Sequence, residues 1–144
     1  MTTANTELVR VDPRYPGIWL TLSRYLQEAL EKGGGTKDWS TNDMYHAIVE
    51  GHLALWALVT GGTVFGAAAT CLTPYPRRQV LEVLAMGADD GYEDQWRECL
   101  ETLGQHARAA GASAIVGTGR PGWARKLGAE ERRVFELSLT DTET

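Results

Sequence analysis

Two apolar runs, His52 to Thr60 and Thr63 to Thr73, are separated only by Gly61-Gly62. A glycine pair between β-prone runs suits a two-residue turn with positive φ at both positions, so the stretch predicts an antiparallel hairpin. Val64, Phe65, Ala67 to Ala69 and Leu72 fit a buried strand whose small residues predict close packing by a helix. Pro74-Tyr75-Pro76-Arg77-Arg78 forms a turn, because two prolines do not fit inside a paired strand. Gln79 to Met86 then supplies a third strand, with Val80, Leu84 and Met86 expected on one side and Leu81, Val83 and Ala85 on the other. The chain is therefore expected to build around an antiparallel centre.

The flanking segments supply the layers such a sheet needs. Glu7 to Asp12 alternates as a short strand ended by Pro13, and from Pro16 the residues Trp19, Leu22, Leu26, Ala29 and Leu30 follow helical spacing up to Gly33-Gly34-Gly35. Ser40 and Asp43 offer a capping box in front of Met44, Ala47 and Ile48, a second helix ending at Gly51. A long helix from about Tyr92 to Ala110 carries the stripe Trp96, Leu100, Leu103 and Ala107, with Gly111 closing it. Ala112 to Val116 reads as a short buried strand, Trp123 to Leu127 as a short helix, and Glu131 to Thr140 as a last strand alternating Val134, Glu136 and Ser138 with Phe135, Leu137 and Leu139. With 144 residues the chain is sized for one domain, 1–144, with loose tails at 1–6 and 141–144.

Composition narrows the chemistry. A formal net charge of −5 argues against a broad nucleic-acid-binding face, so direct nucleic-acid binding is not expected. No apolar run is long enough for a membrane span and no signal peptide is evident, so no membrane association is expected. Cys71 and Cys99 lack metal or redox spacing and are expected to be reduced and structural. His46, His52 and His106 form no ligand pair, so no metal site is expected, and the serines lack a nucleophile-elbow setting. Arg120, Arg125, Lys126, Arg132 and Arg133 form the one dense basic region, a candidate docking surface for an acidic partner. Trp39, in a polar loop after three glycines, is a second candidate partner contact.

The element order, from about Leu8 to Leu139, resembles that of GNAT-type (GCN5-related) N-acetyltransferases. That resemblance implies an α/β (α+β) fold, a mixed central sheet of about six strands flanked by about four helices. The chain is similar, more narrowly, to GNAT-like proteins of tailed bacteriophages. The specific shared block is Gly119-Arg120-Pro121-Gly122-Trp123-Ala124-Arg125-Lys126-Leu127, of the form G-R-x-G-W-x-R-x-L; the Thr70 to Pro76 turn matches T-x-x-x-Y-P loosely. In active family members an R/Q-x-x-G-x-G/A loop before the long helix cradles the acetyl-CoA pyrophosphate with main-chain N–H groups and the positive helix end. Here that loop reads Ala88-Asp89-Asp90-Gly91-Tyr92-Glu93, followed by Asp94.

The resemblance implies Glu82 as the candidate base. It also implies Leu84, Met86, Gly87, Gly91 and Arg120 as cofactor contacts if acetyl-CoA binds; no tyrosine in Pro121 to Leu127 matches the family's acid. With Ala88 at the basic or amide position and acidic residues through the loop, the expected function is a non-catalytic phage virion or assembly component, with no cofactor and with protein partners, either copies of itself or other virion proteins. Its expected location is the host bacterial cytoplasm, with packaging in or on the virion. The alternatives are an active acetyl-CoA-dependent N-acetyltransferase and a soluble protein that binds a host factor. Arg120 is expected to pair with Asp89 or Asp90.

Overall fold

The glycine pair turns the chain as its position requires: Gly61 and Gly62 adopt φ of 56° and 82°, and Thr60 pairs with Thr63. The structure, a computed structural model, describes residues 5–118, 127–132 and 136–139. Around the hairpin of β2 (Ala54–Thr60) and β3 (Thr63–Pro74), β1 (Thr6–Arg10), β4 (Gln79–Ala88) and β5 (Ala114–Gly117) complete one sheet in the order β1-β2-β3-β4-β5. Neighbours are antiparallel except β4 and β5, which run parallel through the crossover helix α3 (Glu93–Ala109). Helices α1 (Ile18–Gly33) and α2 (Thr41–Val49) connect β1 to β2, joined by a single 3-10 turn at Gly35–Lys37.

Local chemistry explains the helix ends. Ser40 Oγ accepts the Asp43 N–H and the Asp43 carboxylate accepts the Ser40 N–H, each at 3.0 Å, so the expected capping box starts α2. These bonds hold the Asp43 carboxyl below its ordinary value. Gly34, with φ of 76°, ends α1 in the left-handed conformation that glycine adopts without strain.

The sheet divides two cores. Leu22, Tyr25, Leu26 and Leu30 of α1 and Met44 and Ile48 of α2 pack with Leu55, Ala57, Ala67 and Ala69 on one face. Cys99, Leu103 and Ala107 of α3 pack with Trp56, Leu58, Phe65 and Ala68 on the other. Buried Thr70 is satisfied by the Trp56 indole N–H at 2.9 Å.

Four expectations need correction. Met86 packs with Leu81 and Val83 on the α3 face, while Ala85 lies on the α1 face. The cause is a bulge: Ala69 pairs with Ala85 but Thr70 pairs with Val83, so Leu84 is an extra residue that reverses the alternation beyond it. Leu72 is 44% exposed rather than buried, because β2 ends opposite Thr70 and leaves the end of β3 flanked by β4 alone. Thr6, expected in the loose tail, is the first residue of β1 and pairs with Thr60. The described part of Glu131 to Thr140 forms no strand; Leu137 and Leu139, 78% and 90% exposed, find no core face for their alternation. The described residues thus show five strands and three α-helices, and the Trp123 to Leu127 helix falls outside them except for Leu127.

Candidate functional site: a cleft where two parallel strands part

β4 and β5 pair only from Val80↔Ala114 to Val83↔Gly117. The pairing stops at the Leu84 bulge, so among the described residues Leu84 to Ala88 have a strand only on the β3 side. A parallel pair that separates in this way leaves main-chain donors and acceptors facing a cleft instead of a ladder. α1 covers one side of it. A Cβ at Gly87 would stand 2.6 Å from the Tyr25 carbonyl oxygen, and one at Gly33 would stand 3.8 Å from the Thr118 carbonyl oxygen. The helix therefore lies against β4 through a contact only glycine permits, and its far end reaches the end of β5.

Glu82 sits on β4 just before the bulge, half-buried, and its Oε1 accepts the Thr73 hydroxyl at 3.1 Å. The Cys71 sulfur lies 3.7 Å from the same hydroxyl, so three polar groups from β3 and β4 meet on the face that carries α1. Thr73 fixes the orientation of a carboxylate that is suited, by type, to accept a proton.

At the other end of the cleft stands the loop into α3. Asp89 accepts the Tyr25 hydroxyl at Oδ2 over 2.8 Å, and the Tyr25 oxygen in turn accepts from Arg24 Nη2 at 3.1 Å. Burial, then the hydrogen bond and charge of Asp89, push the Tyr25 phenol above its ordinary value; Arg24 acts in the opposite sense. The Asp89 N–H is held by the Phe65 carbonyl at 2.8 Å, and Tyr92 stacks on the Phe65 ring at 4.8 Å. The first turn of α3 adds Glu93 and Asp94 and no base. The stretch from Asp89 to Asp94 that leads into α3 thus carries four carboxylates, before a helix end that would otherwise favour an external anion.

Of the residues predicted from sequence, Glu82, Leu84, Met86 and Gly87 fall together along β4, and Gly91, with φ of 89°, lies exposed in the loop after it. Leu84 packs toward the α1 face and Met86 is buried on the α3 face, so their side chains do not share a wall. Trp39 is half-buried and packs against the α1-side core. Arg132 is exposed. Arg120, Arg125, Lys126 and Arg133 lie outside the described residues, and with them the Gly119 to Leu127 block except Leu127. The expected pairing of Arg120 with Asp89 or Asp90 lies outside the described residues, among which the Tyr25 hydroxyl donates to Asp89. Arg24, Tyr25 and Thr73 are the site residues that sequence reasoning missed; the helical pattern marks Tyr25 only as a neighbour of Leu22 and Leu26 on a packed face.

Among the described residues no cluster of His, Cys, Asp or Glu could hold a metal ion, and no helix is long and apolar enough to cross a membrane. A surface cavity of about 300 Å³ lies between β1 and the end of α2, three strands away from β4 and apart from the cleft.

This arrangement of a mixed five-stranded sheet with three α-helices is a GNAT-like fold. An aminoglycoside acetyltransferase from an uncultured soil metagenomic sample superposes with a TM-score of 0.67 at 15% identity, covering 94% of this chain and 99% of its own. An aminoglycoside N-acetyltransferase solved in complex with CoA gives 0.66 at 14% identity, covering 96% and 98%. A probable acetyltransferase gives 0.70 at 11% identity, covering 94% and 99%. No protein family's sequence profile matches the chain. No curated protein matches it in sequence.

Proposed function

We propose that the chain is a GNAT-fold protein that does not turn over acetyl-CoA and serves a tailed bacteriophage as a virion or assembly component. The observation that carries the first half is the Asp89 carboxylate, held by Tyr25 in the loop that leads into α3, whose first turn already bears Glu93 and Asp94. A pyrophosphate brought to that helix end would meet like charge where an acyl carrier needs donors. The phage assignment is supported by the G-R-x-G-W-x-R-x-L form of Gly119 to Leu127, and the protein-partner role by the basic residues Arg120, Arg125, Lys126, Arg132 and Arg133 in an otherwise acidic chain.

The parted strands favour a second reading. Leu84 to Gly87 present main-chain groups to the cleft, and Glu82, steadied by Thr73, stands where it could take a proton from an amine. In that reading the chain is an acetyl-CoA-dependent N-acetyltransferase, with an aminoglycoside or another small amine as acceptor by analogy with its structural neighbours.

Calorimetry with acetyl-CoA decides between them. The proposal expects no saturable heat up to about 1 mM ligand, whereas a micromolar dissociation constant would overturn it in favour of the enzyme. Virion membership is tested by purified particles, which are expected to contain the chain at a defined copy number; its absence there would point to a role in assembly or against a host factor.

A further inference from the structure

The Tyr25 hydroxyl makes a contact that the fold itself does not need. The ring is buried in the α1-side core, 6% exposed, yet its oxygen reaches the loop beyond β4 to meet Asp89 Oδ2 at 2.8 Å. Arg24 backs it from the neighbouring position, with Nη2 at 3.1 Å from the phenol oxygen and the guanidinium carbon 4.6 Å above the ring. The loop is already fixed without this bond, through the Asp89 N–H on the Phe65 carbonyl and the Tyr92 ring stacked at 14° on Phe65. What the phenol adds is direction: it holds an exposed carboxylate toward α1, across the end of the cleft, instead of letting it turn into solvent.

We propose that Asp89, aimed by Tyr25 and Arg24, is the specificity determinant that excludes phosphate-bearing acyl donors from the cleft. The inference rests on the reading that the chain does not use acetyl-CoA, and it assigns that property to one side chain. Asp90, beside it in the loop, is exposed and is not the acceptor of the Tyr25 hydroxyl. Glu93 and Asp94 lie one turn further along, on the helix itself. A carboxylate held in place keeps its charge at one position at the cleft end, whereas a freely rotating one spreads it over several directions into solvent.

The test compares three variants by calorimetry with acetyl-CoA, each first shown to melt as the parent does. Asp89→Asn removes the charge while its amide oxygen still accepts the Tyr25 hydroxyl, so the loop is preserved. With the parent silent up to about 1 mM, it is expected to bring a dissociation constant below about 1 mM into view, in line with the roughly tenfold effect of one unit charge at close range after salt screening. Tyr25→Phe keeps the charge but frees it, and is expected to give a smaller gain. Asp90→Asn is expected to change little. A natively folded Asp89→Asn that remains silent would overturn the inference while leaving the non-catalytic reading intact. Equal gains from Asp89→Asn and Asp90→Asn would also overturn it, since net acidity and not the aimed carboxylate would then be responsible. Micromolar binding by the unmodified chain would instead refute the underlying reading.

Discussion

Tyr25 and Cys99 both hold their protons more tightly in the folded chain than outside it. For Tyr25 the main cause is burial, followed by the Asp89 contact; for Cys99, 1% exposed, burial comes first and the charge of Glu98 second, pushing the thiol up to about 11 from 9.0. Both groups are neutral when protonated, and both folded values lie above the unfolded ones. Their contribution to stability is therefore complete below the unfolded values and is lost as pH rises, from 9.0 toward about 11 for Cys99 and from 10.0 upward for Tyr25. Urea midpoints are expected to hold steady up to about pH 8 and to fall by about pH 11, with the fall reduced in Cys99→Ala. A flat profile across that range would show that both groups release their protons at the same pH in the folded and the unfolded chain. The acidity of the Asp89 loop is legible in sequence, but its hydrogen-bond partner is not. Tyr25 lies 64 positions away, on a helix whose pattern announces only that the residue is packed. Chemistry that depends on which side chains meet across elements leaves no local trace.

At the scale of elements, two bulges and two glycines shape the cleft side of the sheet. The irregularity between Leu58 and Val59 and the one at Leu84 each change which residues face α1 and α3. Between them lies a close approach: a Cβ at Gly66 would stand 2.5 Å from the Gly87 carbonyl oxygen, and one at Gly87 would stand 2.6 Å from the Tyr25 carbonyl oxygen. Both obstacles are backbone atoms, which cannot yield without moving β4 or α1. Gly87→Ala is thus expected to cost about 1–3 kcal/mol, the usual range for overpacking. Gly104→Ala is its control. Its nearest neighbour would be the Ile115 Cδ1 at 3.9 Å, and in a helix interior the exchange is expected to be neutral or to stabilise by up to about 1 kcal/mol. Denaturant titrations of both variants check the pair, and an unperturbed Gly87→Ala would mean that α1 does not press on β4 as the structure has it. Elements governed by neighbouring residues are legible in sequence: the Gly61-Gly62 turn, the Ser40–Asp43 box and the α3 stripe all appear where their spacing puts them. The Leu84 bulge is not, because one inserted residue leaves two short runs of correct alternation that differ only in phase, so Met86 reads as sharing a face with Val80 and Leu84.

For the whole molecule, the decisive feature is that one sheet serves two cores. Ala67, Ala68 and Ala69 are each 0% exposed, and they alternate between the α1 side and the α3 side along a single strand. Their small side chains bring the helices of both layers close to the same backbone, so loosening one layer removes packing from the strand that supports the other. Among the described residues no buried side-chain nitrogen or oxygen lacks a partner, which leaves apolar packing as the quantity that mutation changes most directly. Leu22 on α1 and Leu103 on α3 are both 0% exposed, one in each core. Truncating either to alanine is expected to cost about 2–5 kcal/mol. The two variants should still unfold in one transition, with far-UV circular dichroism and tryptophan fluorescence coincident. The fluorescence samples both layers, since Trp19 and Trp39 pack on the α1 side and Trp56 and Trp96 on the α3 side. If Leu22→Ala released its fluorescence change at lower urea than its loss of circular dichroism, the α1 layer would be melting alone, and the cleft beneath it would be a separately opening part of the fold. Coincidence of the two signals would instead mean that the α1 layer is as stable as the sheet it covers.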